Sequence, residues 1–353
     1  MKIAVIQRFL PDKSRGGVGH FAHGLANELR RRGHQVVIFT QDPAPADALY
    51  ETKVLSCNYP GWMKPLVFPF QLARQSFEGF DLIHAQGDEQ WIRRAGIPLV
   101  RTLHGSALAE AVHNGLRQGS VKNFLMHLYF YFFEFIAVLK ADALTAVSSQ
   151  TFRYYPGGTA LRRMIPNGIN LEKFSAAGGE KSKSPSIFFV GEMKSRKRGD
   201  LLLKIFRDEI LPAFPEAELW LAAPEKREGP GVRWFGEVTE RQLIDLYRRA
   251  WIFCMPSSYE GFGRPYAEAM ACGTAVLAAP NPGSREILEE GKYGVVIGEK
   301  EIGPGLIELL TDTELRRRFE EEGPVRAKEY SWSRVAEDYE KIYEAVLAKA
   351  HKK

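Results

Sequence analysis

Short apolar runs alternate with amphipathic stretches along this chain, and the alternation starts twice. The first series is KIAVIQ (2–7), QVVIFT (35–40), DLIHAQ (81–86), PLVRTLHG (98–105), ALTAVS (143–148) and RRMIPNG (162–168). The second is SIFFVG (186–191), ELWLAA (218–223), VRWFG (232–236), WIFCMP (251–256), TAVLAA (274–279) and GVVI (294–297). Strands separated by helices imply a parallel sheet covered on both faces. Between the two series lies FSAAGGEKSKSPS (174–186), small, polar and glycine-containing, which reads as a linker. A chain of 353 residues exceeds one ordinary core and suits two domains. The expected layout is an α/β domain over 1–173, a linker over 174–185 and a second α/β domain over 186–332. Ligands of open α/β sheets bind beyond the carboxyl ends of the strands, so a cleft there is the expected site.

The intervening segments carry helix signals. In 18–32, Val18, Phe21, Ala22, Leu25 and Leu29 share one face. Arg30–Arg32 followed by Gly33 form a stop signal, cations in the last turn and a glycine beyond it. In TERQLIDLYRRA (239–250), Thr239 and Gln242 have the spacing of a capping box. The final segment places Trp332, Val335, Tyr339, Ile342 and Val346 at helical spacing. VKNFLMHLYFYFFEFIAVLK (121–140) is unusually aromatic, but His127 and Glu134 interrupt it, and its apolar run falls short of the ~20 residues a membrane span needs. It reads as a buried helix of the first domain, with a helix lying in the membrane interface as the alternative.

Composition narrows the class. Hydrophobic residues make up 45% and charged residues 26%, the profile of a soluble globular protein. The three cysteines, Cys57, Cys254 and Cys272, are odd in number and match no metal-ligand spacing. No disulfide framework is expected, and a reducing, cytoplasmic setting is. The N-terminal MKIAVIQRF lacks the long apolar region of a signal peptide. Charge is uneven: residues 1–170 hold 19 Lys and Arg against 12 Asp and Glu, and the remainder holds 29 against 31. A basic first half fits an anionic acceptor or peripheral contact with an anionic membrane face, and equally a plain solvated surface. No nucleic-acid partner is expected.

The stretch most specific for chemistry is EGFGRPYAEAMACG (260–273). Glu260 and Glu268 flank a Gly261-Phe262-Gly263 turn and a short helix, and an apolar run ending in Pro256 precedes them. The glycines permit close backbone approach, a helix N-terminus favours anionic groups, and each carboxylate accepts hydroxyl hydrogen bonds. That set suits a sugar attached to a nucleoside diphosphate. The plain structural alternative is a solvated Glu268 and a loop Glu260.

MPSSYEGFGRPYAEAMACGTAVLAAPNPGSREILEE (255–290) resembles the glutamate–seven residues–glutamate region of retaining glycosyltransferases of family four, which have the GT-B fold of two Rossmann-like α/β/α domains. The resemblance implies that the final helix, 333–350, crosses back onto the first domain. It also implies that Glu268 holds ribose hydroxyls, that Glu260 with the N–H groups of Phe262 and Gly263 holds the sugar, and that Glu286 lies near the nucleotide. FFVGEMKSRKRGD (188–200) resembles the family's phosphate site, with Lys197 at the position of the lysine that pairs with the diphosphate. The family's arginine is replaced by Glu192, leaving Arg196 or Lys194 to supply the missing cation. RGGVGHFAHG (15–24) imitates a dinucleotide fingerprint, but FLPDKSR separates it from the first strand. By the resemblance, Gly16 and Gly17 instead approach the donor phosphates, and His104 contacts the donor sugar.

The expected catalytic set is therefore Glu260, His104 and Lys197, and the donor-binding set is Gly16, Gly17, Arg196, Lys197, Gly261, Phe262, Gly263 and Glu268. No Asp-x-Asp pair occurs in the sequence, so no metal and no cofactor beyond the nucleotide-sugar substrate is expected. The expected reaction is transfer of a hexose-type sugar to a saccharide or lipid-linked acceptor of the cell envelope. The alternatives are a phosphorylase-like enzyme and a non-catalytic sugar-nucleotide-binding subunit.

Overall fold

A computed structural model describes residues 1–11, 17–56, 63–112, 120–158 and 161–350. The chain forms two compact units, Met1–Gly168 with Trp332–Lys353, and Ile169–Ser331.

The first unit is built on a parallel sheet of β1 (Lys2–Ile6), β2 (Gln35–Thr40), β3 (Glu51–Val54), β4 (Leu82–Ala85), β5 (Leu99–Leu103), β6 (Ala143–Ala146) and β7 (Leu161–Met164). Their order is β3-β2-β1-β4-β5-β6-β7. β3 carries no apolar run in its ETKV, because an edge strand with three of four residues exposed needs none, and the sequence pattern does not announce it. The central strands β4, β5 and β6 are buried throughout, as apolar runs without alternation require. The helix Gly17–Arg31 buries Phe21, Ala22, Leu25 and Leu29, and Gly33 ends it at φ 89°. The last helix, Trp332–Ala350, joins this core through Val335, Tyr339, Ile342, Tyr343 and Val346.

The second unit repeats the plan with β8 (Ser186–Val190), β9 (Glu218–Ala222), β10 (Val232–Trp234), β11 (Ile252–Met255), β12 (Ala275–Ala278) and β13 (Val295–Val296). The order is β10-β9-β8-β11-β12-β13. In each sheet the strand order reverses direction beside the first strand, between β1 and β4 and between β8 and β11, the place where doubly wound sheets bind ligands. The Thr239 capping box is present at the helix Glu240–Arg249.

Two expectations meet a different structure. Residues 174–185 group with the second unit: Lys181 Nζ donates to Ala250 O and Gly273 O, both at 2.8 Å, and Trp251 Nε1 donates to Ser182 O at 2.8 Å. The polar composition that suggested a linker serves these contacts. Residues 121–140 do form one helix, capped by Ser120, but it is not a buried one: only Ala137 and Val138 are fully covered. Tyr131, Phe135 and Val138 face the core, whereas Leu125, Tyr129 and Phe132 face outward. Composition gave the apolar character and not the direction in which it points.

Candidate functional site

The second unit gathers its functional groups beyond the ends of the adjacent strands β8 and β11. The chain leaves β8 through Gly191, at φ 134°, a conformation that favours glycine. Lys197 folds back over this glycine, with Nζ 3.4 Å from Val190 O. A Cβ at position 191 would lie 2.2 Å from Lys197 Cδ and 2.7 Å from Nζ, so the bare backbone is what admits the ammonium. Ser195 Oγ shapes the turn, accepting from Lys197 N and donating to Glu192 O, both at 3.2 Å. Ser258 N donates to Arg196 O at 2.9 Å and Arg198 Nε to Pro256 O at 2.6 Å, stitching this loop to the one after β11.

On the β11 side, Glu260 is buried. Its Oε1 accepts from Ser257 Oγ at 3.1 Å and from Arg196 Nη1 at 3.4 Å. Of the two cations the sequence left open, Arg196 is thus the one brought to the acid, while Lys194 is exposed. Glu192 is exposed as well and accepts through its backbone. The Gly261–Gly263 turn leads into the helix Arg264–Ala271, with Gly263 at φ 85°, ψ 53°. The Phe262 ring is buried edge-on against Tyr330, centroids 5.6 Å apart, and anchors the turn from beneath. Among the described residues nothing accepts from the N–H groups of Gly261, Phe262 and Gly263. These donors sit at a helix N-terminus, where backbone dipoles favour an anion or a hydroxyl oxygen.

The turn is backed by the helix Pro282–Ile287. Gly283 N donates to Glu260 O at 2.9 Å, and a Cβ on Gly283 would lie 2.1 Å from Phe262 O. Asn281 caps this helix and reaches Ser257 O at 3.1 Å and Tyr266 Oη at 3.2 Å. Tyr266 in turn donates to Met255 O at 2.9 Å, fixing the start of the first helix to the strand end.

Glu268 is also buried. It accepts from Arg264 Nη2 at 2.8 Å, one helical turn before it, and from Tyr247 Oη at 3.4 Å. Lys197 ties the two acids into one electrostatic site. Burial pushes its ammonium below the usual lysine range, and Glu260 chiefly, then Glu268, oppose that shift. The structure thus brings Arg196, Lys197, Glu260, the glycine turn and Glu268 together. Gly283, Asn281, Arg264 and Tyr247 were not foreseen; the Arg264–Glu268 spacing of four was the one visible signal. Among the described residues no group of three or more His, Cys, Asp and Glu side chains is placed to hold a metal ion.

The remaining expected residues belong to the first unit. Gly16 lies outside the described residues. Gly17 opens the helix Gly17–Arg31, and space for a Cβ there is open. His104 follows β5, its Nε2 2.7 Å from Gln86 Oε1 and its ring edge-on to Phe21. Gln86 Nε2 is 3.1 Å from His84 Nε2, and His84 Nδ1 is 2.8 Å from Tyr343 Oη. Burial, with Arg101 nearby, pushes His104 down to about 3; burial, with His104 nearby, does the same to His84. Both rings are therefore neutral hydrogen-bonding groups at physiological pH. Beside them Glu89 and Arg101 form a buried ion pair, and Asp88, in the left-handed region at φ 71°, lies 3.6 Å from Arg8 Nε.

The family model described as Glycosyltransferase Family 4 matches residues 15–173, and the one described as Glycosyl transferases group 1 matches residues 171–326. A D-inositol 3-phosphate glycosyltransferase of Corynebacterium jeikeium is 26% identical, over 96% of this chain and 93% of its own. A phosphatidyl-myo-inositol mannosyltransferase of Mycobacterium leprae is 25% identical, over 96% and 95%. Among solved structures, sucrose-phosphate synthase from Thermosynechococcus elongatus superposes with a TM-score of 0.82 at 20% identity, covering 99% of each chain. Anabaena HepE in complex with UDP-glucose gives 0.71 at 16% identity, covering 99% of this chain and 100% of that one. These two likenesses establish the shared two-domain GT-B fold.

Proposed function

The chain belongs to the family 4, group 1 glycosyltransferases, and from that premise we propose that it moves a hexose-type sugar from a nucleoside-diphosphate sugar to a saccharide or lipid-linked acceptor, with retention of configuration and without a metal ion. One observation carries the reading: two buried carboxylates flank a turn whose N–H groups have no acceptor among the described residues, and Arg196 and Lys197 stand at the first of them. Glu268 holds the ribose hydroxyls in this reading. Glu260 and the N–H groups of Phe262 and Gly263 hold the sugar, and Lys197 and Arg196 take the diphosphate. His104, being neutral, serves a sugar hydroxyl as a hydrogen-bonding ring and not as a cation.

No side chain among those at Glu260 is placed as an obvious nucleophile, since Glu260 itself is engaged by Ser257 and Arg196. A front-side departure needs less. The leaving phosphate oxygen takes the acceptor's proton as the acceptor oxygen bonds to the anomeric carbon, and fixed cations stabilise the charge on the leaving diphosphate. An acceptor carrying a polyol or a lipid anchor is supported by the names of the two bacterial relatives, and a uridine donor by the HepE complex. A lipid-linked acceptor would bring the reaction to the cytoplasmic face of a membrane.

A thermal-shift screen of nucleotide sugars identifies the donor, because a ligand bound only by the native form raises its melting temperature. With that donor, Glu268→Ala and Lys197→Ala lose transfer while the fold survives, EDTA leaves the rate unchanged, and the product keeps the donor's anomeric configuration. Near-normal turnover in both variants would refute the site; an inverted product would refute the mechanism.

A further inference from the structure

The outward side of the helix Val121–Lys140 is apolar where a surface helix is ordinarily polar. Val121, Leu125, Tyr129 and Phe132 recur at three- and four-residue spacing and are half to two-thirds exposed, Phe132 at 61%. A second helix, Lys64–Ala73, adds Leu66 and Phe70 at a spacing of four, Phe70 being 62% exposed. The two helices meet through Trp91: its ring stacks on Phe70 with centroids 6.4 Å apart and lies edge-on to Phe133 at 5.5 Å. Phe133 in turn touches Tyr129 and Phe132. Continuous exposed aromatic surface of this kind marks an interaction site.

Charge identifies the occupant. Arg74 ends the shorter helix, Arg93 stands two residues from Trp91, and Lys122 sits in the first turn of the longer helix; all three are exposed. Across 63–74, 90–94 and 120–140 the one acid is Glu134. It is turned inward, accepting from Tyr155 Oη and from Ala107 N. The surface is thus apolar and aromatic, rimmed by cations, with its single acid withdrawn. Among the described residues no helix is long and apolar enough to cross a membrane. We propose that this face of the first unit lies on a bilayer containing anionic lipid, its rings at the level of the headgroups and Arg74, Arg93 and Lys122 against their phosphates. None of these residues is among those assigned to the donor, so the inference does not depend on the transfer reaction.

Co-sedimentation of the full chain with vesicles tests it. The protein binds vesicles of phosphatidylcholine with phosphatidylglycerol, binds phosphatidylcholine alone far more weakly, and is released by salt. The triple variant Phe70→Ser, Leu125→Ser, Phe132→Ser binds at least roughly tenfold more weakly with an unchanged melting temperature, since all three point outward. Arg93→Glu with Lys122→Glu is the second variant, and each lost cation weakens binding by roughly fivefold. Absence of binding to any vesicle, or wild-type binding by the triple variant, overturns the proposal. So does a wild-type dimer that the triple variant makes monomeric, because the face would then be covered by a second copy.

Discussion

Replacing Gly191 by alanine tests how Lys197, the cation proposed to take the diphosphate, is held. Two penalties follow from the structure. The φ of 134° strains any residue with a Cβ, at a cost of about 1–2 kcal/mol. The new methyl would also lie 2.2 Å from Lys197 Cδ and 2.7 Å from Nζ, so the lysine must swing away from Val190 O. The side chain is flexible, so this second effect is small in stability and large in position. For a domain of this size the strain lowers the melting temperature by roughly 2–8 °C. Removing one fixed group that stabilises developing charge costs about 10²–10³ in turnover. The assay is a double-mutant cycle with Lys197→Ala, reading kcat and melting temperature for all four proteins. In the Lys197→Ala background Gly191→Ala should still lower the melting temperature but leave kcat alone, because no ammonium remains to displace. Gly191→Ala at wild-type kcat, or a further loss of kcat in the double variant, would refute the reasoning.

Two other perturbations have definite outcomes. Gly283→Ala forces a methyl to within 2.1 Å of Phe262 O; backbone cannot yield as a side chain does, so the donor turn shifts and the nucleotide sugar loses its thermal stabilisation while the unliganded protein loses about 1–3 kcal/mol. The first unit weakens in acid: unfolded His84 takes a proton near 6.5, whereas the native ring refuses it down to about 3. Native stability is thus lost as pH falls through that interval, by roughly 2 kcal/mol from this residue between pH 7 and 5. Urea midpoints of wild type and His84→Gln at the two pH values measure this difference, and identical pH dependence in both proteins would exclude the histidine.

What the sequence disclosed was whatever local pattern encodes. Buried central strands must be apolar runs, so β4, β5, β6, β8, β11 and β12 stood out, whereas the exposed edge strand β3 had no such requirement. Thr239 and Gln242 declared their cap because a capping box is complete within four residues. The acids Glu260 and Glu268 stood out for the glycines between them. Their partners did not: Tyr247 meets Glu268 across 21 positions and Arg196 meets Glu260 across 64, contacts that only the folded sheet creates. The histidine pair shows the same limit. DLIHAQ places His84 and Gln86 on one side of β4 by simple alternation, yet nothing local says that Tyr343 comes back to His84 from 259 residues away. The helix Val121–Lys140 fails differently: its apolar character was plain, but its stripes are apolar on both sides, and only the packing of Tyr131 and Phe135 tells inside from outside.

Both carboxylates of the site are held by arginine, Glu260 by Arg196 and Glu268 by Arg264, and this bears on what the site can recognise. A buried carboxylate left without a partner costs several kcal/mol, so neither acid can be released unless the incoming ligand satisfies it. A bare diphosphate could draw Arg196 away but would leave Glu260 with the neutral Ser257 Oγ alone. A free sugar could satisfy Glu260 but would leave the guanidinium without its anion. A ligand that joins hydroxyl groups to a diphosphate answers both at once, giving Glu260 and Arg196 each an external partner. On the proposed assignment, selectivity for a nucleotide sugar over either of its halves follows from the pairing itself, without demanding that any single contact be strong.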